Sequence, residues 1–276
     1  MSGRRIAWLD VFTNRPYAGN QLAVVAPGDG LSDDEMQSIA RELTISETVF
    51  VLDEARRLRI FTPGYELPLA GHPTVGAALE CARTGLIPSE GRWVFQTGVG
   101  DTPVDVAGGV ATMTQAEPEL GETVDASAVA EALGIAADDI VSPPQFCTTT
   151  KLAQLYVEVA SRELLASISP TEALVRGLPG EGLVPWCEVG PGEVAQRMFA
   201  PEMGVMEDPA TGSAAGGLGA LRVFRGAAPG ELLVRQGEEL GRPSSMTVTV
   251  GGTTGAPADV RVGGTAVLVM EGELRL

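Results

Sequence analysis

The stretch that decides the fold is Pro73-Thr74-Val75-Gly76-Ala77-Ala78, because the chain repeats it in altered form as Ala210-Thr211-Gly212-Ser213-Ala214-Ala215. The first copy follows the turn Gly71-His72, which holds the one histidine of the 276-residue chain. The second copy follows the turn Glu207-Asp208-Pro209. We therefore predict two related half-molecules, each presenting a polar turn at the start of a helix, with a site built between them.

Both copies predict helices rich in small residues, at residues 73–84 and 212–224. A glycine inside a helix costs about 1 kcal/mol, so a helix with several glycines makes sense only where strands close tightly around it. Both segments are also apolar on nearly all faces, which is typical of a buried helix. Each half is therefore predicted to wrap a sheet around one central helix.

An acidic, turn-prone stretch, Glu117-Pro118-Glu119-Leu120-Gly121-Glu122, separates the two copies. We predict an N-terminal half at residues 1–117 and a C-terminal half at residues 118–264. A last strand at about residues 265–276 is expected to pack back on the N-terminal half.

The charge balance and the apolar pattern exclude some partners. The chain has 19 Lys and Arg residues against 36 Asp and Glu residues, a net charge of −17. Nucleic acid is not expected as a partner, because phosphate neutralisation needs clustered basic residues. An anionic substrate would need local donors to overcome the overall field.

No apolar run is long enough to span a bilayer, and Asp10 interrupts any signal-peptide core, so we predict a cytosolic protein that does not bind membranes.

The cysteines Cys81, Cys147 and Cys187 are odd in number and form no Cys-x-x-Cys pair. Neither a disulfide framework nor a zinc site is therefore expected. A single histidine nearly excludes histidine-based metal sites, so we predict no metal. The sequence also has no Walker A motif and no Gly-x-Gly-x-x-Gly after a strand.

The two predicted helix starts are candidate anion sites. A helix N-terminus offers unpaired backbone N–H groups and a partial positive charge, and it binds carboxylates without Lys or Arg. Pro73 suits the first turn of a helix, where its missing N–H is not needed, and Pro209 is predicted to do the same. Two such ends facing each other would hold an anionic substrate, with His72 and Asp208 in the corresponding turns.

Glu47 is the third candidate, because it lies between a predicted helix and an apolar strand that can carry its carboxylate inward. Burial would raise its pKa toward the working range of a general acid or base. Each candidate also has a purely structural interpretation. His72 could cap its helix or lie hydrogen-bonded in the core, Asp208 could be an Asx-turn N-cap, Glu47 could be a solvated strand end, and Ser213 could be a small packing residue. The joint placement of His72 and Asp208 in the repeated turns favours a functional interpretation.

A series of longer motifs runs in order from residue 10 to residue 244. They are Asp10-Val11-Phe12-Thr13-Asn14-Arg15-Pro16 with Gly19-Asn20, Ser46-Glu47-Thr48-Val49-Phe50, Phe61-Thr62-Pro63, Leu69-Ala70-Gly71-His72-Pro73, Phe199-Ala200-Pro201, Glu207-Asp208-Pro209-Ala210-Thr211-Gly212-Ser213-Ala214, and Gln236-Gly237-Glu238-Glu239-Leu240-Gly241-Arg242-Pro243-Ser244. Together they resemble the motifs of the phenazine-biosynthesis PhzF-like family. The resemblance covers almost the whole chain.

The resemblance implies an α+β fold of the diaminopimelate-epimerase-like type. Such a fold has two pseudo-symmetric domains, each a curved, mostly antiparallel sheet around a central buried helix. It also implies a homodimer and a cofactor-independent isomerase of a small carboxylated, cyclic substrate. The best-known member of the family moves a proton within the ring of trans-2,3-dihydro-3-hydroxyanthranilate.

The resemblance also implies roles for individual residues. Glu47 would be the acid/base that takes a proton from one carbon and returns it at another, and His72 and Asp208 would bind and polarise the substrate. The other residues that the resemblance places at the substrate are Gly71, Pro73, Gly212, Ser213 and Asn20.

Two alternatives remain open at this point. One is an amino-acid racemase or epimerase, but enzymes of that kind with this fold use a cysteine at each helix start. Here the two turns contain no thiol, and Cys81 falls inside the first central helix. The other alternative is a non-catalytic protein that retains the cleft and binds a small molecule.

Overall fold

The computed structural model describes residues 3–150 and 152–275. Over these residues the chain is mostly β-sheet with few helices, so the predicted α+β class is confirmed. The chain divides into two compact units. Unit 1 contains the described residues up to Thr114 together with those from Gly263 onward, and unit 2 contains Gln115–Val262.

The strands of unit 1 form a sheet in which β17 pairs with β1 and the order continues through β2, β3 and β4. The β2–β3 pair is parallel and its neighbours are antiparallel. β6, β7 and β8 form an antiparallel meander. The strands are β1 (Arg4–Val11), β2 (Asn20–Val25), β3 (Glu47–Leu52), β4 (Arg57–Phe61), β5 (Glu66–Leu67), β6 (Gly91–Thr97), β7 (Gly100–Ala107), β8 (Val110–Thr114) and β17 (Ala266–Leu274).

Unit 1 has a central helix, α2 (Gly71–Arg83), that packs against β1, β2, β3, β7 and β8. Every residue from His72 to Ala78 is buried. A Cβ atom on Gly76 would overlap the side chain of Leu22 on β2, so the sheet closes as tightly on the helix as its composition predicts. A second helix, α1 (Asp33–Leu43), packs against β3 and β4.

The strands of unit 2 pair in chain order from β9 to β15. The β11–β12 and β13–β14 pairs are parallel and the other pairs in this run are antiparallel. The strands are β9 (Glu119–Thr123), β10 (Gln145–Thr148), β11 (Gln154–Glu158), β12 (Gly182–Gly190), β13 (Glu193–Gln196), β14 (Gly230–Gln236), β15 (Ser244–Thr253) and β16 (Ala256–Gly264), whose last two residues belong to unit 1.

Unit 2 also has a central helix, and this one begins and ends as the sequence predicts. It is α6 (Gly212–Phe224), which packs against β10, β11 and β15. Three short helices pack in a core cluster with side chains of β11 and β12, and two 3-10 turns complete the unit. These elements are α3 (Ala126–Leu133), α4 (Arg162–Ser167), α5 (Glu172–Gly177) and the turns Ala137–Asp139 and Pro201–Met203.

Within the described residues, no helix is both long enough and apolar enough to cross a bilayer.

Candidate active site

Unit 1 brings three of the predicted residues together, and the fold explains why. Asn20 is the first residue of β2, and Glu47 is the first residue of the neighbouring parallel strand β3. His72 is the second residue of α2, which packs against both strands. The parallel pairing therefore puts Asn20 and Glu47 at the same edge of the sheet, beside the start of the central helix.

The three side chains form a chain of polar contacts. His72 Nε2 lies 3.3 Å from Glu47 Oε2, and Asn20 Nδ2 lies 3.4 Å from His72 Nδ1. Ser46 donates a hydrogen bond from Oγ to Asn20 Oδ1 at 3.3 Å. The Glu47 side chain is 16% exposed, which differs from the environment of a solvated strand end. The imidazole therefore contacts a largely buried carboxyl group on one side and a buried amide on the other.

Burial controls the charge of this histidine. It lowers the pKa of His72 to about 3, and a hydrogen bond with the backbone of Gln21 only partly opposes the shift. A low-dielectric surrounding disfavours the charged ring, so the imidazole is neutral at pH 7. Its contact with Glu47 is therefore a contact between a carboxyl group and a neutral imidazole, not an ion pair.

The start of α2 also places Gly71 and Pro73 where the sequence analysis expects a substrate. The helix begins at Gly71, two residues before the predicted start, so Pro73 lies within the first turn. The residue that precedes the helix, Ala70, makes no side-chain capping bond. A helix leaves its first N–H groups without intrahelical partners. The first turn of α2 therefore offers donors to an anion.

Unit 2 holds the other predicted residues. Asp208 accepts a hydrogen bond through Oδ2 from Thr211 Oγ1 at 2.5 Å. The side chain of Gln236 ties this turn to β14, since it donates to the Asp208 carbonyl at 2.7 Å and accepts from Thr211 N at 3.1 Å. Gly212 and Ser213 follow as the first two residues of α6.

Two expectations about this turn are wrong. Pro209 is not in the first turn of a helix, because α6 begins three residues later, at Gly212. Asp208 is not the N-cap either, since Thr211 occupies that position. The physical reason is a set of hydrogen bonds from residues distant in the sequence. The bonds of Gln236 hold the chain between Asp208 and Thr211 in a non-helical turn, and Ser244 Oγ donates to the Pro209 carbonyl at 2.9 Å.

Glutamine side chains that the sequence analysis missed hold the first turn of α6. Gln154 Nε2 donates to Ser213 Oγ at 3.0 Å, and Gln115 Nε2 donates to the Gly212 carbonyl at 2.9 Å. Gln154 is 1% exposed. A buried polar residue in the apolar strand β11 was the available signal, but its partner lies 59 residues away and sequence spacing does not identify it.

A buried ion pair precedes Asp208 in the chain. Arg197 donates to both carboxylate oxygens of Glu207 at 2.8 Å and to the carbonyls of Leu165 and Ile168. The guanidinium also lies 4.9 Å from the centre of the Phe199 ring. Two-pronged pairing of this kind fixes orientation as well as charge, so Glu207 anchors the segment that leads to Asp208.

The three thiols are buried, and burial holds them neutral. Cys81 is buried in the third turn of α2, and burial raises its pKa to about 12. Burial also raises the pKa of Cys147 to about 12 and that of Cys187 to about 11. A thiol must be deprotonated to act as a base or nucleophile. Within residues 3–150 and 152–275, no group of three or more His, Cys, Asp or Glu side chains is arranged to hold a metal ion.

Comparison with known proteins finds relatives over nearly the whole chain. The sequence profile of the family described as phenazine biosynthesis-like protein matches residues 9–272. The uncharacterized isomerase YddE of Escherichia coli K12 is 35% identical, with 96% of each chain covered. The trans-2,3-dihydro-3-hydroxyanthranilate isomerase of Pseudomonas aeruginosa is 33% identical, with 99% of each chain covered. The crystal structure of a PhzF-family phenazine biosynthesis protein of Bacillus anthracis matches with a TM-score of 0.90 and 28% identity, covering 100% of each chain.

Proposed function

The chain belongs to the phenazine biosynthesis-like protein family and is an isomerase, and we propose that it moves a proton within a small, carboxylated, cyclic substrate without a cofactor. The observation that carries this proposal is the contact between Glu47 Oε2 and His72 Nε2 at 3.3 Å. It joins a largely buried carboxyl group to a neutral imidazole at the start of the central helix of unit 1.

Glu47 is the proposed acid/base. Its carboxylate takes a proton from one carbon of the substrate, the electron pair of the broken C–H bond shifts along an adjacent double bond, and the carboxylic acid returns the proton to a second carbon. Atoms and electrons balance, because the product is an isomer of the substrate and Glu47 ends as a carboxylate. A single group that acts first as base and then as acid is sufficient for this reaction.

His72 and Asn20 support this role in unit 1. Only Nε2 of the neutral imidazole faces Glu47. With its hydrogen, Nε2 can donate to the carboxylate, and without it Nε2 can accept from the protonated acid. We assign to His72, and to Asp208 in unit 2, the binding and polarisation of polar groups of the substrate. Asn20, which contacts His72, is assigned to the same binding surface.

The carboxylate of the substrate is assigned to backbone N–H donors. In unit 2 these belong to Gly212 and Ser213, the first two residues of α6. Helix N-termini bind anions through unpaired N–H groups and the helix dipole. This mode of binding suits a chain with a net charge of −17, because it needs no basic side chain.

The thiols argue against the amino-acid racemase alternative. A two-thiol mechanism needs a reactive cysteine at each helix start. The three cysteines are instead buried, and burial raises the pKa of each thiol to about 11 or 12. We therefore favour one carboxyl base over two thiols.

The test is the Glu47→Gln variant, with trans-2,3-dihydro-3-hydroxyanthranilate as the first substrate tried. An amide cannot accept the proton, so kcat should fall by roughly 10²–10⁴-fold, while KM stays within a few-fold of the wild-type value. The matched control is Glu42→Gln, which makes the same change at an exposed position of α1.

The possible results separate the parts of the proposal. Full activity of Glu47→Gln would contradict the acid/base role. Absence of turnover by the wild-type protein would contradict this particular substrate, and other cyclic carboxylates would then be tried.

A further inference from the structure

Two buried side chains of unit 2, Tyr156 and Gln154, form a hydrogen-bonded line that ends at Ser213. The Tyr156 hydroxyl lies 2.9 Å from Gln154 Oε1 and 3.0 Å from the Ala214 carbonyl. Gln154 Nε2 in turn donates to Ser213 Oγ at 3.0 Å. Tyr156 and Gln154 are 0% and 1% exposed, and Ser213 is partly exposed at the start of α6. The line therefore runs from the interior of unit 2 to a proposed substrate contact.

The structure places Gln154 Oε1 toward the phenol and Nε2 toward Ser213, and this placement gives each hydrogen bond its direction. Burial raises the pKa of Tyr156 well above its usual value, so the phenol keeps its proton and donates. An amide has an acceptor end and a donor end. With the Gln154 oxygen turned toward the phenol, its NH₂ group faces Ser213. Ser213 Oγ then accepts a hydrogen bond and keeps its own hydrogen for another partner.

The packing keeps Tyr156 in place. A Cβ atom on Gly217 would overlap the Tyr156 hydroxyl, so the helix approaches the phenol so closely that only glycine fits. Gln154 has no freedom to leave the line either, because it is buried between β11 and the first turn of α6. Tyr156 and the first turn of α6 therefore hold the Gln154 side chain, with Oε1 toward the phenol and Nε2 toward Ser213.

We propose that Gln154, oriented by Tyr156, is a positioning residue that makes Ser213 a hydrogen-bond donor toward the carboxylate of the substrate. This inference rests on the proposed function, in which Ser213 contacts that carboxylate. The opposite amide orientation would force Ser213 to donate to Gln154, and the hydroxyl would then present only lone pairs to an anion.

The test compares two substitutions at position 154, each made in the wild-type chain and in the Ser213→Ala chain. Gln154→Glu replaces the amide by a carboxyl group, which only accepts when it is ionised. At a pH where this carboxyl is ionised, Ser213 must donate inward. Gln154→Met is similar in length and makes no strong hydrogen bond. The buried Tyr156 hydroxyl keeps a hydrogen-bond partner in this variant, because it still reaches the Ala214 carbonyl. Melting temperatures check that each variant folds.

The measured quantity is the Kd of 3-hydroxyanthranilate, the aromatic and therefore inert analogue of the proposed substrate, by calorimetry. A hydrogen bond to a charged group is worth about tenfold or more in affinity. Ser213→Ala and Gln154→Glu should each raise Kd by about that factor, and Gln154→Met by a few-fold. In the Ser213→Ala chain, neither change at position 154 should raise Kd further. For 2-aminophenol, which lacks the carboxylate, all variants should match the wild type.

Two results would overturn the inference while the proposed function stands. One is a Gln154→Glu variant that binds 3-hydroxyanthranilate as the wild type does, although Ser213→Ala weakens binding. The other is a loss of affinity on substitution of Gln154 that is equally large in the wild-type chain and in the Ser213→Ala chain. If Gln154→Glu does not fold, Gln154→Met decides by the same comparison. If Ser213→Ala leaves Kd unchanged, or the wild type does not bind the probe, the proposed carboxylate contact itself fails and the inference fails with it.

Discussion

His72 is a buried base that stays uncharged, and this property shapes the proposed chemistry. A protonated imidazole beside Glu47 would stabilise the carboxylate and make it a weaker base. A neutral imidazole lets the carboxyl group cycle between its two protonation states. Because burial keeps the His72 ring neutral, its environment supports the proposed acid/base role of Glu47.

The charge state of His72 gives a prediction that can be read from one resonance, because the chain has a single histidine. In NMR spectra, the Cε1–H signal of the folded protein should stay at its neutral position down to about pH 4, since burial lowers the pKa to about 3. A midpoint near 6.5 would contradict the burial argument.

The same shift predicts the sign of a stability change. The pKa of His72 is lower in the folded than in the unfolded chain, so the unfolded chain binds the extra proton first. The contribution of neutral His72 to the free energy of unfolding is fully present above about pH 6.5. It is lost as the pH falls toward about 3. Between pH 7 and pH 5 the loss should be about 2 kcal/mol. His72→Gln, which does not titrate, should lack this part of the pH dependence in urea unfolding.

Single residues also show what the sequence could and could not predict. Glu47 and His72 stand out because each is a polar residue next to an apolar element. Asn20 was identified only through the family resemblance, and the fold brings the three together. Gln154 does not stand out in this way. Its importance comes from a contact with Ser213 across 59 residues, which depends on how β11 packs on α6.

At the scale of elements, the two central helices differ in how their first turns are held. Neither N-cap residue makes a side-chain capping bond, and the first turn of α2 is contacted by Asn20 through His72. The turn before α6 is tied down by Gln236, and its first turn by Gln115 and Gln154. Composition predicted the bounds of α6, because small residues mark the buried segment. It misplaced Pro209, because the side chain that shapes that turn comes from β14.

The close approach of α6 to β11 predicts an unusual response to alanine. Alanine normally favours a helix over glycine by about 1 kcal/mol. Gly217→Ala should instead destabilise the protein by about 1–3 kcal/mol, because the added Cβ overlaps the buried hydroxyl of Tyr156. Gly177→Ala in α5 is the matched control, since nothing lies within 4 Å of its Cβ position.

Urea unfolding of the two glycine variants is the measurement. The control should be neutral or slightly stabilised. Equal stability of Gly217→Ala and Gly177→Ala would show that the helix can move away from Tyr156, against the fixed geometry on which the role of Gln154 depends.

At the scale of the whole molecule, the repeat in the sequence corresponds to two units that each hold one central helix. The repeat was visible because tight packing of strands on a helix demands the same small residues twice. The short helix α4 was not predicted from the sequence. Dimerisation stays a prediction, since the site residues of one chain do not test it.

The most direct test of the central claim is turnover in D₂O, with trans-2,3-dihydro-3-hydroxyanthranilate as substrate and the product examined by NMR. If Glu47 carries the proton and its acid form exchanges with D₂O before the return step, the wild type and Glu42→Gln should place deuterium at the carbon that receives it. Glu47→Gln should place none. Deuterium incorporation by Glu47→Gln at the wild-type rate would contradict the account.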